Sequence, residues 1–431
     1  MDLSKFNFEN VYDPAWREKE PSLSDVIRNH PNFPPLVILK ADLQRRGVKM
    51  TERASQAINP QKVAVNARSN NFENIGEGYT PNGLSLRDGS SVITYVAAAE
   101  PEPFSRIRDP YFIELEDEKP VIRDGDAVVE EVFYWPKPDF ADKLTSKGTP
   151  MWHVLSARPQ RLEINTYQNC DFWKAKGQFC KYCYTGFLYS LFQGEKKEFI
   201  DLEDAAEAVG EALKQPGRYR SIQFCGGSLL GGDELLDDEV NLYIDILKRL
   251  EKYLPDKRAM VQMVATAYNE RQIRRLHDET ILTGYTSDIE VLDENVFTQI
   301  CPGKAQVIGY QGWKDRLFRA ADIFEDGRVT TGIVSGVELA QPFGFTSEEE
   351  ALEKSLHEAE DLARHGIGVC QTVYNNTVPG CALYREKSQT LEYNIRFAEE
   401  LDTLSRKYNL DFTFDDYRTC GNHPNTDLAR I

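Results

Sequence analysis

The alternation of apolar and polar positions changes character near residue 160. Downstream, short β-branched runs alternate with amphipathic helical windows, the pattern of repeated βα units that build a parallel sheet. Strands are expected at Arg161–Thr166, Ser221–Cys225, Met260–Ala265, Thr286–Leu292, Arg328–Ser335 and Gly368–Tyr374. Helices fit between and after them at Asp201–Lys214, Asp237–Tyr253, Asn269–Asp278, Trp313–Phe324, Ser347–His365 and Leu391–Tyr408. Acidic residues open the first of these, and Glu348–Glu350 the fifth, as the helix dipole favours. Six βα units in roughly 250 residues predict an α/β fold built as a partial (β/α)6 TIM-like barrel, with functional groups at the C-terminal ends of its strands. The barrel is expected over residues 151–390, followed over 391–431 by a C-terminal helix and a tail covering the barrel mouth.

Residues 1–150 read differently. They are rich in Pro and Asn, with turn-like stretches such as Asn32-Phe-Pro-Pro and Tyr134-Trp-Pro-Lys-Pro, and are taken as an N-terminal extension or small domain of unassigned fold. Within them Leu36–Arg46 before Gly47 reads as a helix with a glycine stop, and Ser91–Ala98 as a strand.

Composition narrows the function. In 431 residues, 51 Lys and Arg face 69 Asp and Glu, a formal charge of −18, which argues against nucleic acid and anionic membranes as partners because like charges repel. The chain has no apolar run of 18 residues, and its start lacks an export signal, so a cytoplasmic protein with no membrane association is expected. In a reducing compartment, close-set cysteines point to metal or catalysis rather than to disulfides.

All eight cysteines lie beyond residue 169, and three of them, Cys170, Cys180 and Cys183, form a C-x9-C-x2-C loop directly after the first barrel strand. Soft thiolates select zinc or iron-sulfur clusters. A structural zinc needs four protein ligands, and the nearest fourth, Cys225, lies on another strand. Three thiolates and an open position suit a 4Fe-4S cluster; a zinc clip or three buried thiols is the alternative. After the second strand come Gly226, Gly227 and Ser228, where missing side chains let the backbone approach a ligand. The fifth strand ends in Thr331-Gly332-Ile-Val-Ser335-Gly336-Val-Glu338, whose glycines leave room for a flat ligand or simply make tight turns.

From Arg161 to Tyr374, about half of the chain, these ordered motifs resemble the radical S-adenosylmethionine (SAM) enzymes, with a flavour of the biotin synthase and hydrogenase-maturation branch. The resemblance implies that Cys170, Cys180 and Cys183 ligate a 4Fe-4S cluster, with the aromatic Tyr182 before the last ligand as in the family. It implies that Gly226, Gly227 and Ser228 hold the methionine end of SAM, that Glu290 on the fourth strand contacts its ribose or amino acid, and that Gly332, Ser335, Gly336 and Glu338 lie near the adenine. The nine-residue spacing, shared with the Elongator catalytic subunit, departs from the commoner three, and Ser228 stands where an acidic residue is common. The implied activity is reductive cleavage of SAM to a 5′-deoxyadenosyl radical that takes hydrogen from a small-molecule substrate in a biosynthetic pathway, with flavodoxin or ferredoxin as reductant. Modification of RNA or a polypeptide is a second reading, and a noncatalytic zinc-stabilised binding protein a third.

Other features are weighed against bland roles. Cys420, in a polar tail segment, is a candidate hydrogen donor over the barrel mouth or a chance cysteine. Cys370 and Cys381 could serve an auxiliary cluster or be buried thiols, and His153 could face the cluster or be structural. The aromatic residues Phe172, Trp173, Phe179, Tyr182, Tyr184, Phe187, Tyr189 and Phe192 would shield the cluster. No Asp-x-His-x-x-Gly segment supports a common cobalamin domain.

Overall fold

The computed structural model describes residues 20–65, 78–94, 96–98, 109–191, 197–254, 260–324, 327–375, 383, 389–410 and 421–428. The N-terminal part builds a sheet from β1 (Val48–Met50), β2 (Leu84–Leu86), β3 (Ser91–Val92), β4 (Val96–Ala98), β5 (Tyr111–Glu116), β6 (Lys119–Asp124) and β7 (Ala127–Tyr134). Its order is β3-β2-β7-β6-β5-β1-β4; β5, β6 and β7 form an antiparallel meander, and β1 runs parallel to β4 and β5. The segment expected as one strand, Ser91–Ala98, is two, at opposite edges. Between them Ile93 donates its N–H to the Gly421 carbonyl and the Thr94 hydroxyl bonds the Leu43 carbonyl, so these groups cannot continue a ladder. The glycine-stopped helix is Pro35–Arg46, closed by Gly47 at φ 73°.

The second sheet comprises β8 (Ser156–Ala157), β9 (Arg161–Asn165), β10 (Ser221–Cys225), β11 (Met260–Val264), β12 (Gly284–Thr286), β13 (Val329–Ser335) and β14 (Gly368–Val373), side by side in chain order. The six strands β9 to β14 are parallel, and β8 caps the β9 edge antiparallel. This is the expected partial barrel: helices such as Leu202–Ala212 and Asp237–Leu250 return the chain between strands, and their apolar faces join the outward residues of the sheet in one core that includes Leu162, Ile222, Phe224, Met263, Tyr285 and Trp313.

One strand departs from expectation. The run Thr286–Leu292 is a strand only at its first residue; the backbone then leaves β12, passes Glu290 at φ 73°, and rejoins β13 by a parallel bridge between Glu290 and Ile333. Glu290 therefore stands in a loop past the strand end. Two helices without a clear sequence signal follow, Glu294–Ile300 and Pro302–Val307, before Tyr310–Ala321.

The C-terminal helix Pro424–Leu428 packs on Pro35–Arg46, Leu391–Lys407 and β14, where a buried ion pair joins Lys40 to Asp427. Among the described residues no helix is long and apolar enough to cross a membrane.

Candidate active site

The cysteine loop leaves the C-terminal end of β9 and is pinned from three directions. The Tyr167 hydroxyl bonds Asp171 Oδ1 at 2.8 Å, the Lys181 N–H donates to Ile300 O at 2.9 Å, and the Gly303 N–H donates to Gln178 O at 3.0 Å. Cys170 and Cys180 are buried and Cys183 partly so. Burial pushes the Cys170 thiol up to about 12 and raises Cys183 as well, with Cys180 adding to the rise. Cys180 is raised by the hydrogen bond its thiol makes to Cys301 and by burial. Among the described residues no three His, Cys, Asp or Glu side chains are gathered as a ready metal-ion site.

The donor set nevertheless fits an iron-sulfur cluster. Three thiols on one loop influence one another's ionisation, and burial disfavours each thiolate until a cationic centre replaces its proton. The Trp173 indole N–H is directed toward the Cys183 sulfur, where it favours the thiolate, yet it is buried and meets no acceptor at hydrogen-bond distance. Its ring is fixed by stacking on Phe179 at 4.3 Å between centroids. Cluster-bound thiolates accept such N–H groups.

The glycine loop after β10 lies directly on the cysteine loop. The Gly227 N–H donates to Tyr167 O at 3.1 Å and the Asp171 N–H to Ser228 O at 2.8 Å. A Cβ on Gly227 would stand 1.8 Å from the Asn169 carbonyl oxygen and 2.5 Å from Cys170 Cβ, so only glycine permits the approach. The Ser228 hydroxyl takes a 2.8 Å hydrogen bond from Thr266. Glu239, which sequence reasoning missed, clamps this region: its buried carboxylate accepts the Leu229 N–H at 2.6 Å, the Thr266 N–H at 3.2 Å and the Tyr268 hydroxyl at 2.5 Å. A Glu in an acidic helical first turn looks like dipole compensation, which hid it.

On the other side stands Glu290, 2.6 Å from Lys304 Nζ, which also donates to Asp288 O at 2.8 Å. Burial pushes the Glu290 carboxyl up while Lys304 and the Tyr182 hydroxyl pull it back. Asp288 Oδ1 accepts the Gly332 N–H at 2.7 Å, and a Cβ on Gly332 would come within 2.5 Å of that oxygen. Tyr182 itself is half-buried, with its hydroxyl in the field of Cys180, Glu290, Cys301 and Cys183. Lys304 and Cys301 carry no motif signal.

Ser335, Gly336 and Glu338 face elsewhere. Ser335 Oγ donates to Asn394 at 2.8 Å, Gly336 takes φ 110° against Gln389, and Glu338 accepts the Gly336 N–H at 2.8 Å and the Tyr393 hydroxyl. All three sit against the helix layer behind the sheet, where burial pushes Glu338 up to about 7. None lines the barrel cavity of about 160 Å³, whose wall includes Arg161, Gln223, Gln262, Asp288, Glu290 and Gly332. Cys370 also lines it, and His153 packs edge-on against Trp152 at 4.0 Å. Cys381, Cys420 and Phe192 lie outside the described residues, as does the side chain of Phe187.

The structure thus sets a cysteine loop and a glycine loop side by side at the C-terminal mouth of a partial barrel of parallel strands. No family model matches the chain. A relative from Chlorobaculum limnaeum, bacteriochlorophyllide c C-7(1)-hydroxylase, is 23% identical over 389 residues, 86% of each chain. Among solved structures, methylornithine synthase aligns over 60% of this chain and 72% of its own at 13% identity and a TM-score of 0.39. A radical SAM methyltransferase from Sphaerobacter thermophilus aligns over 70% and 76% at 14% identity and 0.39. The proteins it resembles are enzymes.

Proposed function

We propose that the chain is a radical SAM enzyme that holds a 4Fe-4S cluster on Cys170, Cys180 and Cys183 and takes hydrogen from a small-molecule substrate in a biosynthetic pathway. The observation that carries this reading is the close approach of Gly227 to the Asn169 carbonyl and Cys170 Cβ, which sets a side-chain-free ledge against the cysteine loop at the barrel mouth. When bound, the cluster and SAM supply one-electron reductive cleavage to methionine and a 5′-deoxyadenosyl radical, with flavodoxin or ferredoxin as electron donor.

The chain's own residues bind, orient and seal. Gly226 and Gly227 leave room for an amino-acid end beside Cys170, and Glu239 keeps that ledge in place through Leu229 and Thr266. Lys304 holds the Glu290 carboxylate in a fixed position at the opposite rim, where it can accept hydrogen bonds from ribose hydroxyls or an ammonium group. Trp173, Phe179 and Phe172 cover the cysteine loop and exclude water from it. A hydroxylase among the relatives supports reaction at a C–H bond.

Anaerobic reconstitution with iron and sulfide tests the proposal. About four irons and four sulfides per chain are expected, with formation of 5′-deoxyadenosine on addition of dithionite and SAM, and loss of all three in the Cys170/Cys180/Cys183→Ala triple variant. One zinc per chain and no acid-labile sulfide would refute it in favour of a zinc-stabilised binding protein.

A further inference from the structure

The inner wall of the barrel is polar where a packed barrel is ordinarily lined by Val, Ile and Leu. Inward positions of the parallel strands carry Glu163 and Arg161 on β9, Gln223 on β10, Gln262 on β11, Thr286 on β12 and Thr330 on β13. The ladder register sets Glu163, Gln223 and Gln262 abreast. Part of this wall is mutually satisfied: Gln262 Nε2 donates to the Thr286 hydroxyl at 2.8 Å, and the Thr286 and Thr330 hydroxyls bond each other at 2.7 Å. That chain of bonds fixes the Gln262 amide and leaves its Oε1 as an acceptor toward the cavity.

Two more groups remain available. The Gln223 amide lines the cavity and makes no hydrogen bond to another described residue. Asp288 gives Oδ1 to the Gly332 N–H at 2.7 Å, which leaves Oδ2 beside the space that the missing Gly332 side chain opens. These are a neutral donor and two acceptors, on β10, on β11 and past the end of β12, around one cavity of about 160 Å³. Gln262 is buried and Gln223 and Asp288 are half-buried on the cavity wall; a site built on such hydrogen-bonding groups rejects an analogue lacking the matching groups by about 10⁴-fold. Pockets for drug-sized ligands run to about 300–1,000 Å³, so the lumen is scaled to a smaller molecule.

Building on the radical SAM reading, we infer that the lumen binds a compact, water-soluble metabolite bearing hydroxyl, amino or amide groups, read by Gln223, Gln262 and Asp288, and not an extended apolar pigment. The name of the hydroxylase relative points to the opposite ligand class, an extended pigment.

The transfer of hydrogen from substrate to the 5′ carbon gives the test. The full-length reconstituted protein, with dithionite and SAM, is incubated with a deuterated bacterial extract divided by butanol into a water-soluble small-molecule fraction and an organic fraction that carries lipids and pigments. The mass of the 5′-deoxyadenosine produced is then read. Deuterium is expected from the water-soluble fraction, with the deuterated share of the product falling at least about tenfold in Gln223→Leu and in Gln262→Leu. The conservative Gln223→Asn, checked for unchanged iron content and melting temperature, should fall less than Gln223→Leu. Deuterium from the organic fraction alone, from neither fraction, or at an unchanged share in both leucine variants would overturn the inference. Failure of the wild type to form any 5′-deoxyadenosine would instead strike the radical SAM reading itself.

Discussion

Replacing Gly227 by alanine probes the contact on which the site depends. The new Cβ would lie 1.8 Å from the Asn169 carbonyl oxygen and 2.5 Å from Cys170 Cβ, whereas Cβ contacts under 3.0 Å essentially never occur. The glycine loop and the cysteine loop must then part by more than about an ångström. That movement stretches two hydrogen bonds, Gly227 N–H to Tyr167 O and Asp171 N–H to Ser228 O, each worth about 0.5–1.5 kcal/mol. With overpacking strain of about 1–3 kcal/mol, the total is roughly 2–6 kcal/mol, at or under the low end of the usual 5–15 kcal/mol of a folded domain. The barrel should persist while Cys170 moves off its position. Gly226→Ala is the internal control, because its Cβ would meet Tyr167 backbone atoms at 3.2 and 3.3 Å, a clash that shifts of a few tenths of an ångström relieve. Iron and acid-labile sulfide per chain after anaerobic reconstitution, together with the melting temperature, read the effect. Gly227→Ala is expected to retain less than about half of the wild-type iron and to melt about 5–15 °C lower, while Gly226→Ala stays near wild type in both. Wild-type iron content and a melting point within about 2 °C in Gly227→Ala would refute the argument that the two loops are in obligatory contact.

Three further outcomes follow from buried groups. Lys304→Met leaves the Glu290 carboxyl buried without its cation, and a loss of about 3–5 kcal/mol in urea unfolding is expected; a loss below about 1 kcal/mol would show that Glu290 finds another partner. Glu338 is held at about 7 from its ordinary 4.5 by burial, so the folded state binds a proton more tightly than the unfolded one. Its stabilising contribution is complete below pH 4.5 and lost as pH rises through 7, and Glu338→Gln should therefore gain about 2.5 kcal/mol relative to wild type between pH 5 and pH 8. A pH-independent difference would place that carboxyl in the ordinary range. Trp173→Phe removes an N–H aimed at Cys183 and should lower the cluster potential by tens of millivolts, about 59 mV being a tenfold change in a one-electron equilibrium, as read by EPR-monitored titration. An unchanged potential would mean that the indole only packs.

The six parallel strands were legible because outward positions are apolar and β-branched, and five of the six strands fall within one residue of expectation at each end. The fourth strand misled because Ile289, Val291 and Leu292 supply strand-forming side chains, while the left-handed turn at Glu290 falls on a residue that carries no turn signal. The N-terminal sheet stayed unread for a different reason: β1 to β4 are two or three residues long, too short for any period to register, and β1 joins β4 and β5 while β2 joins β7 across the chain. In the site, the cysteine spacing and the Gly226-Gly227 pair were legible because each draws its meaning from a few adjacent residues. Gly332 and Ser335 share one motif on β13 and stand on opposite faces of the sheet. Alternation in a strand puts residues an odd number apart on opposite faces, so once Gly332 faces Asp288 in the lumen, Ser335 must face Asn394 behind the sheet. Lys304 and Cys301 were beyond reach of any local rule. They arrive beside Glu290 and Cys180 only because the loop after β12 folds back onto β13 and two short helices carry the chain across the mouth. The side chains that tune the cysteine loop are thus set by closure of the barrel, and a motif can report the ligands of such a site without reporting the charges and thiols that surround them.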